Sequence, residues 1–221
     1  MELVVFGGNG FIGRRVCRRA VEDGHGVTSI ARSGPPAPDQ RGPWADRVDW
    51  HAADVFAPQE YRHALDGVDA VVHSIGIIEE SPSEGVTFER VNGDSAIVTA
   101  LESERAGASR FVFVSSATTP PMVRDAYLTA KRRAEAAIAD LEMATTVLRP
   151  GAVYGPDQPH FPSVLNRLLT ALGSVEPVAE RLGAGRPLDV ETVGSAVYET
   201  AVGVDSTEPP LDAQRIVTRA G

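Results

Sequence analysis

At 221 residues, with 43% apolar and 23% charged content, the chain has the size and composition of one globular domain. A net charge of −9 argues against a general nucleic-acid surface, one cysteine excludes an internal disulfide or a cysteine-cluster metal site, and no run of about eighteen apolar residues marks a membrane span. The N-terminus opens as a strand and not as a charged-then-apolar leader, so a cytoplasmic location is expected, with peripheral membrane or complex association as the alternative.

The first strand, Leu3-Val4-Val5-Phe6, runs straight into Gly7, Gly8, Gly10 and Gly13 and then into an amphipathic helix expected from Phe11 to Asp23. Strand, glycine turn and helix in this order cradle a dinucleotide, because the turn is tight, the backbone must approach a pyrophosphate and the helix N-terminus faces the anion. Two registers are present: Gly8, Gly10 and Gly13 fit G-x-G-x-x-G, and Gly7, Gly10 and Gly13 fit G-x-x-G-x-x-G. On the helix, Cys17 shares a face with Ile12, Val16 and Ala20 and reads as core, whereas Arg14 and Arg15 read as a solvated face near enough to the turn to help hold phosphate.

The second strand, Val27 to Ala31, ends at Arg32 and Ser33, where an acidic residue would hold the ribose 2′-OH of NAD. A guanidinium and a hydroxyl suit a 2′-phosphate instead, so NADP(H) is favoured, with NAD(H) as the alternative. A third strand, Val48 to Ala53, leads to Asp54 and Val55, placed by position to meet the adenine ring. A short helix at 58–65 precedes a fourth strand, Val68 to His73, ending at Ser74-Ile75-Gly76, where glycine lets a cofactor pass. His73, inside that strand, has no evident carboxylate partner and is not expected to be an acid or base.

A helix from Phe88 to Ala106 carries Asn92, and a fifth strand, Arg110 to Val114, runs into Ser115-Ser116. A helix at about 123–141 and a sixth strand, Thr145 to Arg149, follow, then Pro150 to Gly155, an apolar helix at 164–172, a Gly- and Pro-rich loop through Pro187, a helix at about 190–201 and a final strand at Ile216-Val217. Strands and helices alternate, which predicts an α/β Rossmann-type doubly wound parallel sheet with helices on both faces. The expected organisation is a single NAD(P)-binding domain over 1–221, with 156–221 forming a small substrate-side cap. Val164, Leu165, Leu168, Leu169 and Leu172 make one stripe, read as the wall of an apolar pocket; an exposed stripe would be a docking surface instead.

Tyr127 and Lys131 stand at i and i+4, one above the other on a helix. A neighbouring ammonium stabilises tyrosinate, so the expectation is a phenol with a lowered pKa that exchanges a proton with a carbonyl or hydroxyl during hydride transfer. Ser116, at the end of its strand, is placed to polarise the same oxygen. Lys131 is the single lysine among 21 basic residues, which favours a specific role over incidental surface charge.

Taken with Asp54, Asn92 and the run Arg149 to Gly155, these motifs over nearly the whole chain resemble the extended and atypical short-chain dehydrogenase/reductase superfamily, the NAD-dependent epimerase/dehydratase group. The segments 4–15, 28–34 and 70–76 resemble the branch that holds the NAD(P)H-binding accessory subunit of respiratory complex I and fungal coenzyme Q biosynthesis proteins. The resemblance implies cofactor contacts from Gly7, Gly10, Phe11, Ile12, Gly13, Arg32, Ser33, Asp54, Val55, Ser74, Gly76, Lys131, Pro150 and Val153. It implies catalysis by Ser116, Tyr127 and Lys131 with Asn92 as companion, and a small-molecule, quinone-related substrate. Only ten residues lie between Ser116 and Tyr127, and little chain follows Gly155, so nucleotide-sugar epimerisation is not expected. A non-catalytic NADP(H)-binding subunit of a larger assembly is the competing expectation.

Overall fold

The computed structural model describes residues 1–120, 123–173, 181–203 and 209–221. Six parallel strands form one sheet: β1 (Glu2–Phe6), β2 (Gly26–Ala31), β3 (Asp49–Ala52), β4 (Ala70–His73), β5 (Arg110–Val114) and β6 (Ala144–Leu148). Their order is β3-β2-β1-β4-β5-β6, so the winding reverses between β1 and β4, and a crevice opens at the C-terminal ends of those two strands. A two-stranded parallel pair, β7 (Val153–Tyr154) with β8 (Leu188–Asp189), lies outside that sheet.

The central strands are continuous apolar runs because both of their faces are buried. On β1, Leu3 and Val5 join one core cluster and Val4 and Phe6 the other. The first cluster holds α1 (Gly13–Glu22) through Val16, Cys17 and Ala20, α5 (Val190–Val202) through Val193 and Val197, and α6 (Ala213–Ala220) through Ile216. On the opposite face, Ala96 and Ala100 of α2 (Ser95–Arg105) and Ala134 and Ile138 of α3 (Ala126–Ala139) pack against Phe111 and Phe113. A further helix among the described residues, α4 (Ser163–Gly173), buries none of its residues.

Four local expectations are corrected. The C-terminal segment is helix α6 and not a strand at Ile216-Val217: Asp212 accepts a hydrogen bond from the Arg215 N–H as an N-cap, and Ala213, Ile216, Val217 and Ala220 have helical spacing. Residues 58–65 form two 3₁₀ turns, Pro58–Glu60 and Arg62–Leu65. The helix ahead of β5 begins with a π-helical turn, Glu89–Asp94. Arg14 and Arg15 are buried, because α5 packs directly on α1; a Cβ at Gly194 would sit 2.5 Å from the Arg15 Cβ. Arg15 bonds Glu191 and the Phe11 and Pro156 carbonyls, and Arg14 bonds Asp157, so both are tied to this chain's own groups and not to a phosphate site. Part of the loop expected before Pro187, and Pro121, lie outside the described residues.

Candidate active site

The turn after β1 is shaped by its glycines. Gly7 has φ +79°, a left-handed conformation open to glycine, and a Cβ there would press on Ile75 at 3.0 Å. A Cβ at Gly13 would stand 2.2 Å from the Gly7 carbonyl oxygen and 2.8 Å from the Gly8 Cα, so the helix starts close against its own turn. Gly7 and Gly10 line the cavity at the strand ends, together with Phe11 and Ile12, whereas Gly13 supports them from behind. Gly8 is a packing residue facing Ser29 and Cys17, so the register in use is Gly7, Gly10 and Gly13. No side chain caps α1; its Arg14 and Arg15 N–H groups bond the Gly10 and Ile12 carbonyls, so an anion would be met by the glycine turn just ahead of them.

The cavity has a volume of about 780 Å³. Arg32, Ser33, Asp54 and Val55 line it where β2 and β3 end. Asn9 donates to the Ser33 hydroxyl oxygen at 2.8 Å and to the Gly34 carbonyl at 2.9 Å, which fixes the loop that carries Arg32. Arg32 itself is exposed. The Asp54 carboxylate accepts from the Phe56 N–H, and the Arg90 guanidinium stacks over the Phe56 ring at 3.9 Å. At the end of β4 the Ser74 hydroxyl bonds the Phe6 carbonyl at 3.0 Å and lines the cavity with Gly76.

Asn92 is fully buried and holds the Ile77 backbone at two points, donating to its carbonyl at 2.9 Å and accepting from its N–H at 2.8 Å. The π-helical turn aims it there. It shapes the wall at Gly76-Ile77 and does not line the cavity, so its role in this structure is structural.

Ser116, Tyr127 and Lys131 line the same cavity, as do Pro150 and Val153 beyond β6. The Ser116 hydroxyl donates to the Thr118 carbonyl at 2.8 Å. Tyr127 packs edge-on against Phe88, with ring centroids 5.7 Å apart. Its phenol is held above the ordinary tyrosine range by burial, with the Ser116 hydroxyl and then the Arg132 charge pulling the other way. The expected lowered phenol is therefore not what this structure shows. The physical reason is where Lys131 points: its ammonium donates to the Val114 carbonyl at 3.1 Å and lies 5.7 Å from the centre of the tyrosine ring. Burial pushes Lys131 itself down to about 8, while Glu135 raises it.

Glu135 was not among the expected site residues. Its buried carboxylate gathers Arg132, Arg149 and the Ser115 hydroxyl. Arg132 also donates to the Ser116 carbonyl at 2.9 Å, so this cluster fixes the backbone that presents Ser116. The signal was in the sequence: Tyr127, Lys131 and Glu135 follow at successive i+4 steps on one helical face.

The apolar stripe of α4 divides. Leu169 and Leu172 line the cavity with Phe161, Leu165 does not, and Val164 and Leu168 are 76% and 54% exposed. The pocket-wall expectation holds for two of the five residues. His73 is buried against Ser95, and burial together with the Lys131 charge pushes it down to about 3, so it is a neutral core residue. Cys17 is likewise buried, and burial raises its thiol. Among the described residues no group of acidic, His or Cys side chains is arranged to hold a metal, and no helix is long and apolar enough to cross a membrane.

These walls fit a nicotinamide dinucleotide. Backbone approaches at Gly7 and Gly10, a cation and a hydroxyl close β2, and a buried lysine and tyrosine stand at the opposite end. A family model described as NAD(P)H-binding matches residues 7–169. The chain is 31% identical over 202 residues to MIOREX complex component 2 of Saccharomyces cerevisiae, covering 69% of this chain and 73% of that protein. It is also 31% identical over 155 residues to a ceramide reductase of Caulobacter vibrioides, covering 70% of this chain and 47% of the relative. Of three other curated relatives the chain spans about half the length, 51%, 47% and 56%. In fold it is similar to MoeE5 in complex with UDP-glucuronic acid and NAD, with a TM-score of 0.68 at 20% identity, covering 96% of this chain and 76% of that one.

Proposed function

The chain belongs to the NAD(P)H-binding family, and from that premise we propose that it is an oxidoreductase that uses NADP(H) in preference to NAD(H) on the carbonyl or hydroxyl group of a small or apolar substrate. The observation that carries the proposal is that Ser116, Tyr127 and Lys131 line one continuous cavity with the Gly7 and Gly10 turn. Gly7, Gly10 and the α1 N-terminus would hold the pyrophosphate, Arg32 and Ser33 the 2′-phosphate, Asp54 and Val55 the adenosine, and Lys131, Pro150 and Val153 the nicotinamide end. When bound, NADPH supplies the hydride that reduces a carbonyl to a hydroxyl and leaves as NADP⁺. In the reductive direction the Tyr127 hydroxyl gives the proton to the carbonyl oxygen, and Ser116 hydrogen-bonds that oxygen to orient it. Lys131, turned to the Val114 carbonyl, would hold the nicotinamide end, and the Ser116 hydroxyl and the Arg132 charge favour the phenolate that proton loss leaves.

The raised phenol suits this direction, since a neutral tyrosine is the form that donates. Similarity to a ceramide reductase supports a lipid-like carbonyl, and a quinone-like or isoprenoid compound falls in the same apolar class. Replacing Tyr127 with Phe should abolish NADPH consumption with a ketone and leave NADPH affinity within about twofold, because only the proton path is lost. In the same titrations NADPH should bind more tightly than NADH until Arg32 is replaced by Ala. Unchanged turnover in Tyr127→Phe refutes the catalytic assignment. A second reading, a cofactor-holding subunit of a larger assembly, is favoured by the likeness to a yeast complex component and by the exposed Val164 and Leu168.

A further inference from the structure

The cavity is chemically divided. Its cations other than Lys131 stand at the adenosine end among the described residues: Arg32 closes β2, and Arg90 is stacked on Phe56 just beyond β3. The wall beyond Tyr127 is built by the segments around 77–86, 118–120, 158–172 and 182–187. No arginine or lysine lines that wall among the described residues. Its ionisable groups are Glu84 and His160, and burial holds the His160 imidazole below the ordinary histidine value while Glu79 opposes it. Its apolar side chains include Ile77, Ile78, Phe161, Leu169, Leu172 and Leu182, and its uncharged polar ones are Thr118, Thr119 and Gln158.

Helix α4 adds an independent observation. It contributes no buried residue to the core and is held at the Gly155 backbone by Asn166, whose amide donates to the Gly155 carbonyl at 2.9 Å and accepts from its N–H at 3.1 Å. Leu169 and Leu172 therefore present an apolar face that no protein core covers, turned toward the cavity. A substrate carrying a phosphate or carboxylate on this side would lose hydration with no arginine or lysine there to replace it.

We propose that the substrate side of this cavity takes an uncharged carbonyl or hydroxyl compound with one extended apolar chain, the reactive group at Tyr127 and the chain along Ile77, Phe161, Leu169 and Leu172. The proposal rests on the oxidoreductase reading for where the reactive group sits. It sets this chain apart from a protein that binds a nucleotide sugar, whose diphosphate needs a positive wall.

Binding of alkan-2-ones of four, six, eight and ten carbons to the NADP⁺-loaded protein, which has no hydride to give a ketone, measured by calorimetry, tests it. Affinity should rise about fourfold for each added methylene, the equivalent of ~0.8 kcal/mol, until the cavity is filled. Decanoate should bind at least tenfold more weakly than 2-decanone, and UDP-glucose should give no heat. Leu172→Glu should remove the chain-length gradient and keep NADPH affinity, while Leu168→Glu on the exposed side of the same helix should change neither. Equal affinity along the series, or tighter binding of decanoate or UDP-glucose, overturns the proposal. NADPH oxidation with the same ketones separates the two claims. A gradient without oxidation supports the apolar site and removes the catalytic reading; oxidation at equal kcat/KM for short and long ketones does the reverse.

Discussion

The Tyr127–Lys131–Glu135 face of α3 decides what the site can do chemically. Lys131 is a buried cation 5.7 Å from the centre of the tyrosine ring, and burial lowers it to about 8, so its ammonium is lost at a pH where an exposed lysine would remain charged. Glu135 opposes that loss, and its own charge is balanced by Arg132 and Arg149. Removing the carboxylate with Glu135→Gln should move the alkaline fall of activity to lower pH, and Glu135→Asp should restore part of the shift. A merely structural residue would depress activity equally at every pH. The linkage also has a definite sign. Because the folded lysine titrates near 8 and its ordinary value is 10.5, the unfolded chain binds more protons between those values, and this residue's burden on stability is fully present below about pH 8. It is relieved as pH rises through that window. Urea unfolding of the unmodified protein compared with Lys131→Met should show the difference shrinking between about pH 8 and 10.

At the scale of elements, the contact between β1 and α1 is the tightest constraint on the cofactor site. A methyl group at Gly13 would meet backbone atoms of Gly7 and Gly8, which cannot rotate away as a side chain would. Gly13→Ala should therefore cost about 1–3 kcal/mol in urea unfolding and weaken NADPH at least tenfold, although Gly13 does not line the cavity. The strands were legible in the sequence because β1, β4 and β5 are buried on both faces and read as unbroken apolar runs. The last segment was misread because Ile216-Val217 resembles a strand locally, whereas the Asp212 cap and the spacing to Ala213 and Ala220 specify a helix. The burial of Arg14 and Arg15 was not legible, since their partners Asp157 and Glu191 arrive from 143 and 176 residues away.

At the scale of the whole molecule, the strand order β3-β2-β1-β4-β5-β6 brings segments far apart in sequence to one crevice. That the glycine turn, Ser116, Tyr127 and Lys131 line one cavity was legible because each sits at a strand end or on one helical face, positions that follow from local pattern. The direction in which Lys131 points, the clamp of Asn92 on Ile77 and the split of α4 between cavity and solvent depend on tertiary packing, which local pattern does not encode. In the proposed reaction the crevice is one site, in which the dinucleotide half and the Tyr127 half act on the same substrate. The most direct test is isotopic: the purified protein is given 2-decanone and NADPH carrying deuterium at both nicotinamide C4 positions, and the alcohol is analysed by mass spectrometry. One deuterium on the carbinol carbon, with none in the product from Tyr127→Phe, is the expected result; no labelled alcohol from the unmodified protein, although NADPH and the ketone both bind, would contradict it.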